Sequence, residues 1–180
     1  MKPLPLALLL SLSLLAGDRP QAPAAPALTP HHESMKALEG TWDAEIRSVG
    51  TGSPEQVSKG TETVKLVSGG LWAAVELRAD VGGVPYEGHG LLGYDPAARK
   101  HVGAWVDSMA TTMGSSSGRC DGQCRRIVFY YRGPDRTGRV TDFKEVAEVI
   151  DADHRTMELS CKDRKGRFVK TMTIAYTRRK

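Results

Sequence analysis

The chain has 180 residues, of which 40% are hydrophobic and 26% charged, and its formal net charge is +4. This length suits one domain with a hydrophobic core and leaves too few residues for two. The basic residues are spread along the chain without a motif of stacking aromatic side chains, so the composition argues against nucleic-acid binding.

The N-terminal 17 residues have the pattern of a secretory signal peptide. Lys2 precedes an apolar run over residues 4–16, which is too short to span a bilayer as a stable helix. Small residues follow, so cleavage is expected after residue 17, or as late as residue 24. The sequence therefore predicts export to the periplasm or the medium. No later stretch approaches 18 apolar residues, so we expect a soluble mature protein without a membrane span.

Residues 18–33, DRPQAPAAPALTPHHE, are rich in proline and alanine and predict an extended linker. His31 and His32 lie at its end. An adjacent histidine pair can contact a metal ion, but nothing nearby in the sequence completes a site, so a solvated linker is the favoured interpretation. The folded domain is predicted over residues 34–180, and residues 34–39 suit one helical turn capped by Ser34.

From Gly40 onward, the apolar residues recur with a period of two, which indicates β-strands. Short turns rich in glycine, proline and aspartate separate the strands, and no segment is long enough for a crossover helix. About ten antiparallel strands in one domain predict a closed barrel or a sandwich, because open sheet edges invite aggregation. The predicted strands are GTWDAEIRS (40–48), TETVKLV (61–67), LWAAVELRAD (71–80), YEGHGLLGY (86–94), HVGAWVDS (101–108), RRIVFYYR (125–132), DFKEVAEVI (142–150), TMELSCK (156–162) and RFVKTMTIAY (167–176).

Two segments are less clear from the pattern alone. KEVAEVI (144–150) has a spacing that also suits a short helix, although its place in a series of strands favours a strand. GSSSG (114–118) matches G-x-S-x-G, but a nucleophile elbow needs a strand before the serine and a helix after it. Because a hairpin follows instead, residues 114–118 are expected to be a flexible loop and no hydrolase is predicted.

Several stretches together resemble a bacterial domain-of-unknown-function family, number fifteen seventy-nine. They are LEGTWDAE, SKGTETVKLVSGGLW, GGVPYEGHGLLGYDPAARKHVGAWVDSM and FKEVAEVIDADHRTMEL, and the resemblance runs from Leu38 to Tyr176. It implies a fold rather than an activity, namely a single up-and-down, lipocalin-like antiparallel β-barrel. Gly40-Thr41-Trp42 is also similar to the Gly-x-Trp opening of lipocalins.

The chain departs from that family at GSSSGRCDGQCRR (114–126), which contains two cysteines. Cys120 and Cys124 flank Asp-Gly-Gln, a turn that brings their side chains opposite each other. In an exported protein this spacing favours a disulfide across the hairpin. Zinc binding would need two further ligands, so no metal site is predicted. Cys161 shares a strand face with apolar residues and is expected to be a buried free thiol.

Two neighbouring strands carry the candidate chemistry. Glu87 and His89 share one strand face, where the carboxylate can orient the imidazole, while glycines occupy the other face. On the next strand His101, Trp105 and Asp107 share one face. The sequence alone does not orient either strand, so these side chains either line a barrel interior or face solvent.

The interpretation favoured by the sequence is an exported protein that binds a small apolar or amphipathic ligand inside the barrel. No nucleophile–base pair, metal cluster or phosphate loop stands out, so no catalytic residue and no cofactor is predicted. The candidate ligand-binding residues are Trp42, Glu87, His89, His101, Trp105 and Asp107.

Three alternatives remain open from the sequence. The first is an acid–base enzyme that uses Glu87, His89 and Asp107, which would have to converge on one cavity. The second is a structural or interaction protein with a filled core. The third is a haem protein with His89, His101 or His154 as axial ligand, although no supporting motif accompanies any of them.

Overall fold

A computed structural model of the protein describes residues 25–49, 54–135 and 137–180. The predicted signal peptide and residues 18–24 of the predicted linker lie outside the described residues. One α-helix, a short 3-10 turn and ten strands follow in chain order, with a second 3-10 turn at Ser68–Gly70. Their bounds are α1 Pro30–Ser34, the 3-10 turn Met35–Leu38, β1 Gly40–Ser48, β2 Gln56–Val67, β3 Trp72–Val81, β4 Val84–Asp95, β5 Lys100–Asp107, β6 Gly114–Cys120, β7 Arg126–Pro134, β8 Val140–Val149, β9 His154–Lys162 and β10 Phe168–Arg178.

The ten strands form one closed antiparallel barrel, which confirms the predicted fold class. Each strand pairs with the next along the chain, and β1 also pairs with β10, from Trp42↔Arg178 to Ser48↔Met172. Closure leaves no free sheet edge. KEVAEVI lies in β8 up to Val149, so the strand interpretation of this segment is confirmed. None of the helices in the described part of the chain has the length and hydrophobicity of a membrane span.

The strand β6 is the Ser/Gly-rich stretch that the sequence predicts as a flexible loop. Residues 114–120 form β6, which pairs with β5 through Trp105↔Gly114 and with β7 through Cys120↔Ile127. Glycine and serine have little intrinsic preference for strands, so two flanking strands rather than local propensity decide this conformation. Ser116 therefore lies within a strand, and the next element is the strand β7 rather than the helix that a nucleophile elbow needs.

One side of the barrel interior is tightly filled. We call the inward-facing residues of β10, β1, β2 and β3 the packed half. Trp42 is fully buried there, and its indole Nε1–H donates a hydrogen bond to the Leu38 carbonyl oxygen at 2.9 Å. Burial of each large apolar side chain stabilises the fold by roughly 1.5–3 kcal/mol. The core cluster consists of Trp42, Ala44, Ile46, Val64, Ala73, Leu77, Ile174 and Tyr176.

A buried ion pair joins this packed half to β9. The Glu62 carboxylate accepts a hydrogen bond from the guanidinium of Arg155, and their side chains are only 6% and 12% exposed. The Arg155 guanidinium carbon also lies 4.5 Å from the Trp42 ring centroid and 3.9 Å from that of Tyr176. Aromatic faces and a carboxylate together replace part of the water that the guanidinium loses on burial, while its Nε–H has no hydrogen-bond partner among the described residues.

The segment before β1 closes one end of the barrel. The structure corrects the expectation of a solvated linker up to residue 33, because α1 begins at Pro30 and His32 is 3% exposed. Met35, in the following turn, is 1% exposed. The guanidinium of Arg178 donates a hydrogen bond to the Ala37 carbonyl oxygen at 2.9 Å, which ties this segment to β10. We call the end covered by α1 the capped end and the opposite end the uncapped end.

Candidate functional site

The other side of the interior is less tightly filled. We call seven half-buried, inward-facing residues of β5, β7, β8 and β9 the open half: Trp105, Tyr131, Phe143, Glu145, Ala147, Met157 and Leu159. Trp105, Tyr131 and Glu145 face the barrel interior, yet each is only half-buried. By contrast, the inward-facing side chains of Trp42, Ala44 and Ile46 on β1 are only 0% to 5% exposed. Accessible surface is therefore not a general property of side chains that face the interior. Trp105, Tyr131 and Glu145 keep accessible surface that a molecule inside the barrel can contact.

Glu145 places a carboxyl group in the open half. It lies opposite Phe129 on β7 and Leu159 on β9, so its neighbours across the sheet are apolar. Among the described residues its carboxylate makes no hydrogen bond, and burial together with the nearby negative charge of Glu62 raises the Glu145 pKa to about 7. An unpaired interior carboxyl with this pKa is available to a ligand that donates a hydrogen bond or carries a positive charge.

Three aromatic residues supply further polar atoms to the interior. The Trp105 Nε1–H donates a hydrogen bond to the Tyr86 hydroxyl oxygen at 3.1 Å. Burial raises the pKa of Tyr86 to about 12 and raises that of Tyr131 as well. Both phenols are therefore neutral at physiological pH and can donate hydrogen bonds. The Tyr131 ring stacks on Phe143 with 4.9 Å between centroids, which fixes its orientation.

The glycines of YEGHG make room for the Trp105 ring. Gly88 and Gly90 face inward on β4, and Gly90 pairs directly with Trp105. A Cβ atom at Gly88 would lie 2.3 Å from Trp105 Cζ2, and one at Gly90 would lie 2.6 Å from Cε3. The indole therefore packs against the backbone of β4 at these two glycines. Aromatic side chains commonly pack over glycines of a neighbouring strand in this way.

Replacing Gly88 with alanine is expected to push the indole away from β4 and to lower the free energy of unfolding by about 1–3 kcal/mol. Gly133→Ala is the matched control, because a Cβ atom at this strand glycine meets nothing within 4 Å. We expect the control to stabilise the fold by up to about 1 kcal/mol. Urea denaturation followed by tryptophan fluorescence measures both changes. Equal stability of the two variants would contradict the close packing of Trp105 on β4.

The sequence-predicted residues fall into different parts of the barrel. Trp42 and His101 face inward but are 0% and 1% exposed, so neither belongs to the open half. Trp105 belongs to it. Asp107 also faces inward, close to the uncapped end, where its Oδ1 accepts a hydrogen bond from the Met109 backbone N–H at 2.8 Å.

Glu87 and His89 lie on the outer surface of the barrel. Their partners on β3 are Arg78 and Glu76, and the four side chains form a ladder of ion pairs in solvent. His89 Nε2 lies 2.9 Å from Glu87 Oε1, with both side chains about half exposed, at 49% and 47%. Because Asp107 faces inward, these three groups do not converge on one cavity, and the acid–base arrangement has no common site.

Exposed apolar side chains surround the uncapped end. Antiparallel topology brings the ends of β1, β3, β5, β7 and β9 and the starts of β2, β4, β6, β8 and β10 together there. The exposure of the apolar side chains at this end ranges from 39% at Phe168 to 67% at Met113. Val57 and Val140 lie on the outer face of their strands, so these side chains form an apolar rim around the end of the barrel. The rim consists of Val49, Val57, Val84, Met109, Met113, Val140 and Phe168.

The capped end holds a separate group of polar side chains. Cys120 and Cys124 form the predicted disulfide, which is confirmed. His31 of α1 lies beside it, with Nδ1 3.1 Å from Cys124 Sγ and 3.4 Å from Cys120 Sγ. The His31 ring stacks on Tyr94 at 4.0 Å between centroids and meets the His101 ring edge-on at 5.4 Å. A pocket of about 410 Å³ opens here, lined by His31, Tyr94, Arg99, His101, Arg119 and Cys120.

Of the three histidines considered as haem ligands, only His101 faces the barrel interior. His89 lies on the outer surface, and the Nδ1 atom of His154 is 2.9 Å from the exposed Asp151 carboxylate. Burial is the main cause that lowers the His101 pKa to about 4, followed by the neighbouring His31 and His32. A neutral imidazole at this position keeps one nitrogen lone pair free for a ligand.

Comparison with known proteins places the chain in a family. The family model described as "Protein of unknown function (DUF1579)" matches residues 27–178. The chain belongs to the DUF1579 family. The resemblance seen in the sequence is thereby confirmed. No curated protein matches this DUF1579 chain.

Two solved structures resemble this DUF1579 protein. The structure of Rv2717c from M. tuberculosis superposes with a TM-score of 0.64 at 12% identity, covering 86% of this chain and 100% of that one. The S-type phycobiliprotein lyase CPES from Guillardia theta gives a TM-score of 0.58 at 13% identity, covering 82% of this chain and 92% of that one. These likenesses show a shared calycin-like β-barrel fold.

Proposed function

We propose that this protein binds a small amphipathic ligand inside the open half of its barrel. The observation that carries the proposal is the accessible surface of three inward-facing side chains of the open half. Inward-facing side chains of β1 are almost completely buried, whereas Trp105, Tyr131 and Glu145 keep accessible surface. A barrel that only stabilised itself would gain from packing this surface completely, because each unfilled volume loses packing energy.

The lining favours a ligand with an apolar body and one polar end. Phe143, Met157 and Leu159 supply apolar surface on β8 and β9, next to the Glu145 carboxyl. The Tyr131 hydroxyl lies close enough to Glu145 for the carboxyl charge to contribute to its raised pKa. A ligand amine or hydroxyl can donate a hydrogen bond to the Glu145 carboxyl, while an alkyl or aromatic body that extends toward the rim contacts the apolar side chains.

Filling the open half is expected to abolish binding. Ala147 faces inward on β8, two residues from Glu145, and is half-buried. The probe is dodecylamine, whose binding is measured by the change in tryptophan fluorescence and by native mass spectrometry. We expect Ala147→Trp to weaken binding at least tenfold, because the indole occupies the space that the alkyl chain requires.

Ala175→Trp is the matched control, since Ala175 faces outward on β10 and is exposed. It introduces the same side chain outside the barrel, so dodecylamine binding should equal that of the unmodified protein. Binding that Ala147→Trp leaves unchanged would overturn the proposal. Failure of the unmodified protein to bind dodecylamine, dodecanol and dodecanoate alike would also overturn it and would favour a protein with an outer functional surface.

The proposal includes export. The apolar run over residues 4–16 supports it, as does the Cys120–Cys124 disulfide, since disulfides persist mainly in oxidising compartments. N-terminal sequencing of the protein recovered from periplasm and medium tests it. A mature N-terminus between residues 18 and 25 is expected, whereas intact protein confined to the cytoplasm would contradict export.

A further inference from the structure

Four side chains with metal-binding atoms meet at the capped end of the barrel, away from the open half. They come from α1, the start of β5, the end of β6 and the turn after it, and they are His31, His101, Cys120 and Cys124. One donor atom of each lies within 4.8 Å of the donor atoms of the other three. Two imidazole nitrogens and two sulfurs are the donor set of a tetrahedral Cys₂His₂ zinc site.

His101 provides an independent sign that this position accepts a ligand. The residue is 1% exposed, and within the described part of the chain neither Nδ1 nor Nε2 has a hydrogen-bond partner. A buried polar group without a partner costs about 1–3 kcal/mol, so native structures rarely leave one. Coordination of a metal ion satisfies one of these nitrogens at the position where the other three donors already gather.

We propose that His31, His101, Cys120 and Cys124 form a zinc site that becomes available when the Cys120–Cys124 disulfide is reduced. A dithiol supplies the two electrons and two protons that convert the disulfide into two thiols, and the dithiol itself becomes a disulfide. Binding of Zn²⁺ then releases both thiol protons, so that two thiolates and two neutral imidazoles coordinate the ion. The bound site carries no net charge.

The surroundings suit this role. The ring of Tyr94 stacks on His31 and fixes the orientation of its imidazole, as groups around metal sites commonly do. Arg99 and Arg119 line the same pocket, and their positive charges favour thiolates over thiols. Sulfur and imidazole donors select a borderline or soft ion such as Zn²⁺ and reject Mg²⁺ and Ca²⁺, which prefer oxygen.

The disulfide and the metal site exclude each other, because both use the same two sulfurs. In the oxidised protein, Cys120 and Cys124 are bonded to each other and His31 contacts both sulfurs. In the reduced protein, the metal ion would join α1 to β5 and to the hairpin between β6 and β7. Whether the capped end holds a disulfide or a zinc ion would therefore depend on how oxidising the surroundings are and on the concentration of available zinc.

Cobalt titration tests the site, because Co²⁺ replaces Zn²⁺ and its thiolate complexes absorb visible light. The purified protein is reduced with a phosphine, freed of reductant under argon and titrated with Co²⁺. We expect one equivalent to give the spectrum of a tetrahedral cobalt–thiolate complex, and one equivalent of Zn²⁺ to remove it. The oxidised protein should give no such spectrum.

Variants separate the proposed ligands from other donors. The double variant Cys120→Ser/Cys124→Ser should lose the spectrum, whereas Cys161→Ser should keep it, since Cys161 is the free cysteine elsewhere in the barrel. His31→Gln changes a residue of the short α1 segment and leaves the barrel strands intact. Removing a residue that only supports a metal ligand weakens metal binding by roughly tenfold to hundredfold. Because His31 is itself a proposed ligand, we expect His31→Gln to weaken binding by more than that. His154→Gln, at an exposed histidine, should bind like the unmodified protein.

Two results would overturn the proposal. One is a reduced, folded protein that takes up neither Co²⁺ nor Zn²⁺, which would leave the cysteine pair as a structural disulfide alone. The other is stoichiometric binding that persists in Cys120→Ser/Cys124→Ser. Circular dichroism of each variant establishes that the barrel is folded, so a loss of binding is not confused with a loss of structure.

Discussion

Replacing Arg155 with methionine is expected to lower the free energy of unfolding by about 3–5 kcal/mol. The substitution leaves the Glu62 carboxylate inside the packed half without the guanidinium that neutralises it. It also removes the cation from the faces of Trp42 and Tyr176. Urea denaturation at neutral pH, with midpoint and slope both recorded, measures the loss.

Two further variants identify the origin of that effect. Arg155→Met/Glu62→Leu replaces the pair with apolar side chains of similar volume, and it should recover most of the lost stability. Arg78→Met is the matched control, because Arg78 pairs with Glu76 and Glu87 on the outer surface with 63% of its side chain exposed. We expect the control to change stability by no more than about 0.5 kcal/mol. A loss at Arg155→Met no larger than in this control would contradict a buried ion pair.

Replacing Glu145 with glutamine is expected to stabilise the protein at alkaline pH and to have little effect at acidic pH. The Glu145 pKa is about 7 in the folded protein and 4.5 as its ordinary value. Below pH 4.5 the carboxyl is protonated in both states, so it makes no pH-dependent contribution. As the pH rises from 4.5 to 7, the unfolded chain releases this proton before the folded protein does, and stability falls.

Above pH 7 the folded protein holds a charged, unpaired carboxylate inside the barrel. The difference in pKa corresponds to about 3 kcal/mol, and the partial accessibility of the side chain lowers the expected gain to about 2–3 kcal/mol. Denaturation curves at pH 4.5 and pH 8.5 measure it. Glu148→Gln is the control, since Glu148 faces outward on the same strand, 3.8 Å from Arg126. A Glu145→Gln gain that is equal at both pH values would contradict the raised pKa.

The alternating pattern of the sequence was sufficient to predict most of the barrel. Trp42, Ala44 and Ile46 recur with period two, and the structure buries all three. The strand β6 was missed because GSSSG carries no side-chain signal, and its conformation depends on β5 and β7 on either side. Local sequence records propensity, whereas pairing with neighbours decides weak strands.

The candidate site was predictable only in part, because a period of two does not say which face is inside. The face with His101, Trp105 and Asp107 is inward, and the face with Glu87 and His89 is outward. Glu145 has a usable signal in the sequence, since it shares a strand face with Phe143, Ala147 and Val149. A lone carboxylate among apolar residues of one face is the pattern to look for.

The meeting of His31 with the cysteine pair had no comparable signal. His31 precedes Cys120 by 89 positions and belongs to a stretch whose composition predicts a linker. Only the folding of α1 over the barrel end brings the two together. Long-range juxtaposition of this kind depends on the whole topology, so residue types and spacing do not reveal it.

Pairing of the first strand with the last has a consequence for how this chain folds. Trp42 finds its partner Arg178 only after nearly all of the domain has been synthesised, so the barrel cannot close while the chain is still emerging from the ribosome. Topologies dominated by such distant contacts fold slowly. Until β10 arrives, β1 and β9 present unpaired backbone groups that other chains can join. Slow closure would make chaperones important for the growing chain, because they cover these strand edges until the last strand has been synthesised.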